Sequence, residues 1–243
     1  MSLQETLRRR WPWLLIGVPV AIALVVSAGT FVYIHFIAPD PAPKLQFANV
    51  TTTTAASASG GTGATAATAA GLDGTYSVTT GSKVQYRVHE TLNGQSNEAT
   101  GATTAVTGSL TLSGTTVTAA KFTADMTKVS SNESQRDGQF RNRIMDTTQF
   151  PAASFELTAP IQLTTLPDDL AVISVKATGK LTLHGTTKAI TIDLSARRNS
   201  GNIEINGTVP ITFSDYNIDN PSGGPASVGD NGDLELLIIT TKG

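Results

Sequence analysis

The sequence contains no cysteine among its 243 residues. Disulfide bonds therefore contribute nothing to stability, and thiolate metal sites and cysteine nucleophiles are excluded. Charged residues are also scarce, at 15% of the chain, where about 25% is usual in soluble domains. Threonine, serine, glycine and alanine replace them, and this composition is typical of a β-rich exported protein.

Recognisable catalytic and metal-binding motifs are missing as well. The chain has no HExxH, HxH or GxSxG sequence, so the spacing that a zinc site or a serine nucleophile needs is absent. His184 follows a predicted strand at a turn, where a hydrogen-bonding role is commoner than metal ligation. Asp215 and Asp219 do not fit the twelve-residue calcium loop. We therefore predict that the protein is not an enzyme and needs no metal or cofactor.

The charge balance argues against nucleic acid as a partner. Residues 1–71 hold four basic and two acidic residues, so the remainder has 13 basic and 17 acidic residues and a net charge of −4. A nucleic-acid-binding domain normally carries a basic patch or stripe. We therefore predict no nucleic acid among the partners.

Acidic and basic residues are both absent from Trp11 to Ala38. At least about 20 apolar residues can cross a bilayer as a helix. The arginines at 8–10 precede this run, and basic residues stay on the cytoplasmic side. We therefore predict a cytoplasmic N-terminus over 1–10, a transmembrane signal-anchor over 11–38 and an extracytoplasmic domain, so that the protein is a single-pass protein of the cell membrane. A cleaved signal peptide is the alternative, although the run is longer than a typical h-region.

Residues 39–71 begin with three prolines and continue mainly as threonine, alanine, serine and glycine. Such a segment cannot bury enough apolar surface to offset the entropy of ordering it. We predict a disordered linker over 39–71, whose threonines are candidates for O-linked sugars. The folded domain is then residues 72–243.

The stretch Gly179–Leu194 shows the pattern that the rest of the domain repeats. Leu181 and Leu183 alternate with polar residues before His184-Gly185, and Ile190 and Ile192 alternate after it. Period-2 alternation around a glycine turn predicts an antiparallel hairpin with one buried face. About eight such strands are predicted in all, a number at which a closed barrel holds side chains or one small ligand.

One segment departs from this alternation. In Asn132–Asp146, Phe140 and Ile144 are four residues apart, which predicts one short helical segment with a narrow apolar stripe. Arg136, Arg141 and Arg143 surround that stripe. They are predicted either as solvated charges on the helix or as a charged rim at a cavity mouth that meets a lipid headgroup.

Three sequences together resemble the YceI-like family of exported bacterial proteins: SKVQYRV at Ser82–Val88, RDGQFRNRIMDTTQFPAASF at Arg136–Phe155 and GKLTLHGTTK at Gly179–Lys188. The resemblance covers about residues 72–243. The middle segment carries it best, with an Arg-Asp pair, an apolar pair plus Asp at Ile144–Asp146, and then Phe150-Pro151. The apolar pair is usually aromatic in the family, which leaves the identity and length of a ligand open.

The resemblance implies an all-β, lipocalin-like, antiparallel eight-stranded barrel whose apolar cavity holds a polyisoprenoid chain. The expected function is a membrane-tethered carrier or sequestering protein for an isoprenoid or similar long apolar lipid. The alternative is an envelope interaction or stress-response module with a filled core. Partners are then that lipid and, through one N-terminal helix, the membrane, and a homodimer is left open. The predicted ligand-lining residues share the inward side of the strands and helix: Val84, Tyr86, Val88, Leu110, Leu112, Phe122, Met126, Phe140, Ile144, Phe155, Leu181, Leu183, Ile190, Ile192 and Phe213.

Overall fold

The fold is that of a computed structural model, which describes residues 19, 23, 25–28, 40–48, 71–223 and 226–243. The chain divides into two compact units. Met1–Pro41, Val88–Ala99 and Pro221–Gly229 form the smaller, and Ala42–Arg87, Thr100–Asn220 and Asp230–Gly243 form the larger. Nearly all of the predicted transmembrane segment, 11–38, and residues 49–70 of the predicted linker lie outside the described residues. Within the described residues, no helix is long and apolar enough to span a membrane.

The structure describes twelve strands, and most of them end where the alternation of apolar and polar residues ends. They are β1 (Gly74–Val78), β2 (Lys83–Leu92), β3 (Gln95–Thr103), β4 (Val106–Ser113), β5 (Thr116–Asp125), β6 (Ala152–Leu157), β7 (Ile161–Gln162), β8 (Ile173–Leu183), β9 (Thr186–Asn199), β10 (Asn202–Thr212), β11 (Ala226–Val228) and β12 (Asn231–Lys242).

The larger unit is a closed antiparallel barrel. Its strands follow the order β1-β4-β5-β6-β8-β9-β10-β12, and β12 pairs back with β1, so the sheet has no free edge in this ring. Lys83–Arg87 of β2 continue along β12 where β1 ends. The predicted eight-stranded antiparallel barrel is therefore confirmed.

The hairpin of β8 and β9 is the one that the alternation predicted. Eleven residues of each strand pair from Ile173↔Ala196 to Leu183↔Thr186. His184 and Gly185 form the two-residue turn with φ of 48° and 71°. Two positive φ values match the twist of antiparallel strands and explain the glycine. A Cβ at Gly185 would also lie 2.4 Å from the Phe150 ring.

The predicted helical segment is confirmed in a compact form. Helix α1 covers Ser134–Gln139 and continues into one π-helical turn over Phe140–Ile144. Phe140 is buried, and its ring stacks on Tyr86 with centroids 5.1 Å apart. This stacking holds the helical segment against the barrel.

Three strands were not predicted from the sequence: β3, the two-residue β7 and β11. β3 reads QSNEATGAT and has no large apolar residue, so hydrophobic alternation cannot reveal it. Its small residues have a packing role, since a Cβ at Gly101 would lie 2.5 Å from the Tyr86 ring. β11 lies in the stretch Asp215–Gly232, whose glycine, proline and asparagine residues are typical of a loop. Within the smaller unit, Ala226–Val228 of β11 pair with Glu90–Leu92 of β2.

A segment of the predicted linker is ordered. In place of a flexible tether throughout 39–71, residues Ala42–Ala48 form a strap that is hydrogen-bonded to side chains of β2, β9, β10 and β12. Leu45 and Phe47 of the strap are half-buried. The low apolar content of the strap predicted disorder, because composition does not show that the barrel supplies polar partners for the main chain of the strap.

Candidate functional site

The barrel encloses an apolar cavity of about 160 Å³. Every strand of the ring contributes inward-facing side chains to it, and alternate residues along each strand face away. In β12, for example, Leu234, Leu236 and Ile238 line the cavity, whereas Glu235 does not. An apolar cavity of about 150 Å³ is known to stay dry and to bind a ligand as small as benzene. The cavity can therefore hold a short stretch of apolar chain without rearrangement.

Bulky side chains fill the barrel at one end of this cavity, which we call the filled end. Met126, Leu183 and Phe213 are buried there without lining the cavity. Two of them follow a lining residue by two positions on the same strand path: Met126 follows Ala124, and Leu183 follows Leu181. The inward-facing alternation therefore continues past the end of the cavity, where the side chains are buried but do not line it.

The opposite end has a different chemistry, and we call it the arginine end. Arg197 and Arg198 at the end of β9 line the cavity there, together with Gly201 and Asn202 of the β9–β10 turn. The Nε atom of Arg198 is buried and has no hydrogen-bond partner among the described residues. A buried N–H without a partner is costly and is normally satisfied by a ligand, water or protein group. The two arginines make this the positively charged end of the cavity.

Tyr76 lies in the wall near the same end. It is 1% exposed, and its hydroxyl donates a 2.7 Å hydrogen bond to the carbonyl oxygen of Leu72. Burial raises the pKa of the Tyr76 phenol above its ordinary value, and the positive charge of Arg198 partly opposes this rise. The phenol is therefore neutral at physiological pH and fixes Leu72, another lining residue, in place.

Some of the predicted ligand-lining residues line the cavity in the structure, and the others do not. Those that line the cavity are Val84, Leu110, Leu112, Phe122, Phe155, Leu181 and Ile192. Those that do not line it are Tyr86, Val88, Met126, Phe140, Ile144, Leu183, Ile190 and Phe213. The alternation identified the inward side of the strands, but it does not tell how far along the barrel the interior is filled.

Small residues create the space and were missed. Ala120, Ala124, Ala153, Ala177 and Ala196 all face the cavity. Each has a methyl group at an inward position where a leucine or phenylalanine would fill the barrel. The sequence signal that could have revealed them is the run of alanines in phase with larger apolar residues, such as Val175 and Ala177 on β8.

The predicted rim arginines do not line the cavity. Arg136 lies in α1 and donates a 2.7 Å hydrogen bond to Asn132, and Arg141 donates to the carbonyl oxygen of Val129. Arg143 is exposed on the π-helical turn. The arginines that line the cavity are instead Arg197 and Arg198, which the sequence analysis did not single out.

His184 has a structural environment. Its Nδ1 lies 3.2 Å from the carbonyl oxygen of Tyr216, and its ring meets the Phe150 ring edge-on at 4.6 Å. Among the described residues, no group of three or more His, Cys, Asp or Glu side chains is placed to hold a metal ion.

The comparisons with known proteins agree with this architecture. A model of the YceI-like domain family matches residues 76–239 of the chain. No curated protein matches it.

Two solved structures share the fold at low sequence identity. One is described as a polyisoprenoid binding domain from Saccharophagus degradans implicated in plant cell wall breakdown. It is 15% identical, the match covers 70% of this chain and 99% of that chain, and the TM-score is 0.56. The other is BcnA of Burkholderia cenocepacia, which is 20% identical. The match covers 66% of this chain and 96% of that chain, and the TM-score is 0.51. At these identities the likeness is one of fold.

Proposed function

Because this chain belongs to the YceI-like domain family, we propose that its barrel binds an isoprenoid or a similar long apolar lipid and carries or sequesters it at the outer side of the cell membrane. The observation that carries the proposal is the apolar cavity through the barrel interior. The Saccharophagus degradans structure of the same fold is described as a polyisoprenoid binding domain, which supports the same class of ligand. No reaction is proposed.

The volume of the cavity limits the length of apolar chain that it can hold. Pockets for small molecules usually measure about 300–1,000 Å³, and the cavity is about 160 Å³. A long isoprenoid therefore needs side chains at the filled end to move, or it leaves part of its chain outside the barrel. A short apolar tail needs neither.

The two ends of the cavity also give the ligand a direction. Lipids of this kind have an apolar chain and one polar head. Leu183 and Phe213 at the filled end are apolar, whereas the positively charged Arg198 lies at the other end. The apolar chain therefore points toward the filled end, and the polar head lies near Arg198.

The lipid proposal is tested by native mass spectrometry of the purified full-length chain. We expect a one-to-one adduct with an apolar lipid, and we expect organic extraction to release an isoprenoid or a similar long-chain species. Added isoprenoid quinone should bind to lipid-free protein. If no lipid co-purifies and no quinone is taken up, the carrier function is wrong and the filled-core interaction module takes its place.

The location is a separate proposal, supported by the uncharged stretch from Trp11 to Ala38 and the arginines at 8–10. The residues described within that stretch, among them Val25 and Val26, are helical and exposed. Apolar side chains that are exposed on a helix are suited to contact with lipid.

We expect protease added to intact spheroplasts to remove the barrel and leave a small membrane-bound fragment. The reason is that the cytoplasmic arginines hold the N-terminus inside. Immunoblotting with an N-terminal tag measures the fragment. Protection of the barrel until the cells are lysed would show the opposite orientation, and a mature N-terminus near Thr30 would show a cleaved signal peptide.

A further inference from the structure

Charged and polar side chains are buried on the outer surface of the barrel, where solvent would normally reach them. Gln85 and Arg87 of β2 are 1% and 4% exposed, and Glu235 of β12 is 1% exposed. These residues alternate with Val84 and Leu236, which line the cavity, so they face outward. Residues of this type are almost never fully buried unless they are paired. Something must therefore cover this outer surface and provide partners.

The covering element is the strap, Ala42–Ala48. The side chains beneath it donate hydrogen bonds to main-chain oxygens of the strap: Arg87 to Ala42 at 2.6 Å, Gln85 to Pro43 at 3.1 Å, Asn206 to Leu45 at 2.8 Å and Arg197 to Ala48 at 2.9 Å. In the reverse direction, the Leu45 N–H donates to Glu235 at 3.1 Å. Side chains of the barrel thus bind the main chain of an extended segment, as in sites that recognise extended peptides.

Carboxylates of the barrel hold two of the donors in position. Arg87 Nε bonds to Glu235 at 2.7 Å, and Arg197 Nε bonds to Glu204 at 2.6 Å. Because the carboxylates fix each guanidinium plane, the Nη2 atoms point at the strap carbonyls. This preorganisation lowers the entropy cost of docking.

One strap side chain adds selectivity. The Phe47 ring lies 4.6 Å from the Arg197 guanidinium carbon, in cation–π geometry. Pro43 lacks an N–H and restricts its own backbone to extended or turn conformations. The segment APKLQFA therefore combines a preset main chain with one aromatic anchor.

We propose that this outer surface of β2, β9, β10 and β12 is a docking site for an extended peptide, and that its occupant is the strap of the same chain. Gln85, Arg87 and Glu235 of this site lie on the opposite face of their strands from the cavity, and the strap-binding residue Arg197 also borders the cavity. Docking divides the linker into two parts. Only residues 39–41 then separate the predicted membrane segment from the barrel.

The consequence for the proposed membrane anchor is a change in reach, and this consequence rests on the proposed function. With the strap docked, three residues span at most about 10 Å. With the strap released, the 33 residues 39–71 separate the same two points and span at most about 110 Å. A docked strap therefore shortens the reach of the linker between the predicted membrane segment and the barrel.

Hydrogen exchange on the full-length chain tests the docking itself and needs no lipid. We expect the Leu45 amide to exchange at least about tenfold more slowly than in a free peptide, because it donates to Glu235. Phe47→Ala should remove most of this protection, since it deletes the aromatic anchor. Gln46→Ala is the matched control, because Gln46 is the exposed neighbour, and it should leave the protection unchanged. Fast exchange in the unmodified chain would overturn the proposal.

A second experiment tests the site without the covalent link. The strap is replaced by glycine and serine in the full-length chain, and a synthetic APKLQFA peptide is added. We expect saturable binding by calorimetry and weaker binding of the reversed sequence. No binding of either peptide would overturn the proposal. A strap-dependent dimer in the unmodified chain would show that the occupant comes from a second copy, and would overturn the assignment to the same chain.

Discussion

Replacing Ala177 by phenylalanine is expected to abolish lipid binding while leaving the barrel folded. Ala177 is 1% exposed, and its methyl group faces the cavity from the middle of β8. A phenyl ring at this position occupies space that the apolar chain needs. Overpacking in a core costs about 1–3 kcal/mol, which is less than the stability of an ordinary domain. We expect affinity for isoprenoid quinone to fall at least about tenfold, or by about 1.4 kcal/mol.

Thr178→Phe is the matched control for this substitution. Thr178 is the next residue on β8 and is exposed on the outer face, where its hydroxyl contacts that of Thr191 at 3.0 Å. The same ring is therefore added at the same height of the barrel but outside it. Binding should be unchanged. A folded Ala177→Phe protein that binds quinone as before would show that the ligand does not occupy the cavity. If Ala177→Phe does not fold, Ala177→Leu tests the same space with a smaller group.

The fold could be predicted largely because the information is local. Leu181, Leu183, Ile190 and Ile192 alternate around a His-Gly turn, and both the hydrophobic period and the turn residue act over a few positions. The hairpin was therefore placed correctly. β3 could not be predicted from hydrophobic alternation, because it buries alanine, glycine and threonine rather than large apolar side chains.

The site could be predicted only in part, because the depth of the cavity is a property of the whole barrel. Leu181 and Leu183 share one pattern and one strand, yet Leu181 lines the cavity and Leu183 fills the barrel. Which of them leaves space depends on residues of other strands, such as Ala124 of β5 and Met126 after it. That sum of volumes involves residues far apart in sequence, which no local window contains.

The strap was missed for a related reason. Its own residues predicted disorder, and no local pattern connects them with the polar positions Gln85 and Arg87 on β2. In the structure, the two segments satisfy each other's hydrogen-bonding groups. Main-chain carbonyls of the strap accept hydrogen bonds from side chains that are otherwise unsuited to burial. Complementarity of this kind appears only when the two are placed together.

Glu235→Ala is expected to be among the most destabilising substitutions in the barrel. The Glu235 carboxylate accepts hydrogen bonds from Arg87, Gln85 and the Leu45 N–H, and all of these are lost together. The variant leaves the Arg87 guanidinium buried without its carboxylate. Breaking a buried ion pair by removing one partner costs about 3–5 kcal/mol. We therefore expect a loss of this size in the free energy of unfolding, measured by urea denaturation.

Asp193→Ala provides the comparison that assigns this loss to burial rather than to ion pairing as such. Asp193 forms an ion pair with Lys176, and their side chains are 81% and 70% exposed. Exposed pairs contribute about 0–1 kcal/mol, so this variant should unfold at nearly the same urea concentration as the unmodified chain. A similar small effect of Glu235→Ala would mean that water reaches Arg87, and hence that the strap is not docked in solution. If Glu235→Ala is equally destabilising in the chain whose strap is replaced by glycine and serine, the barrel alone buries Arg87.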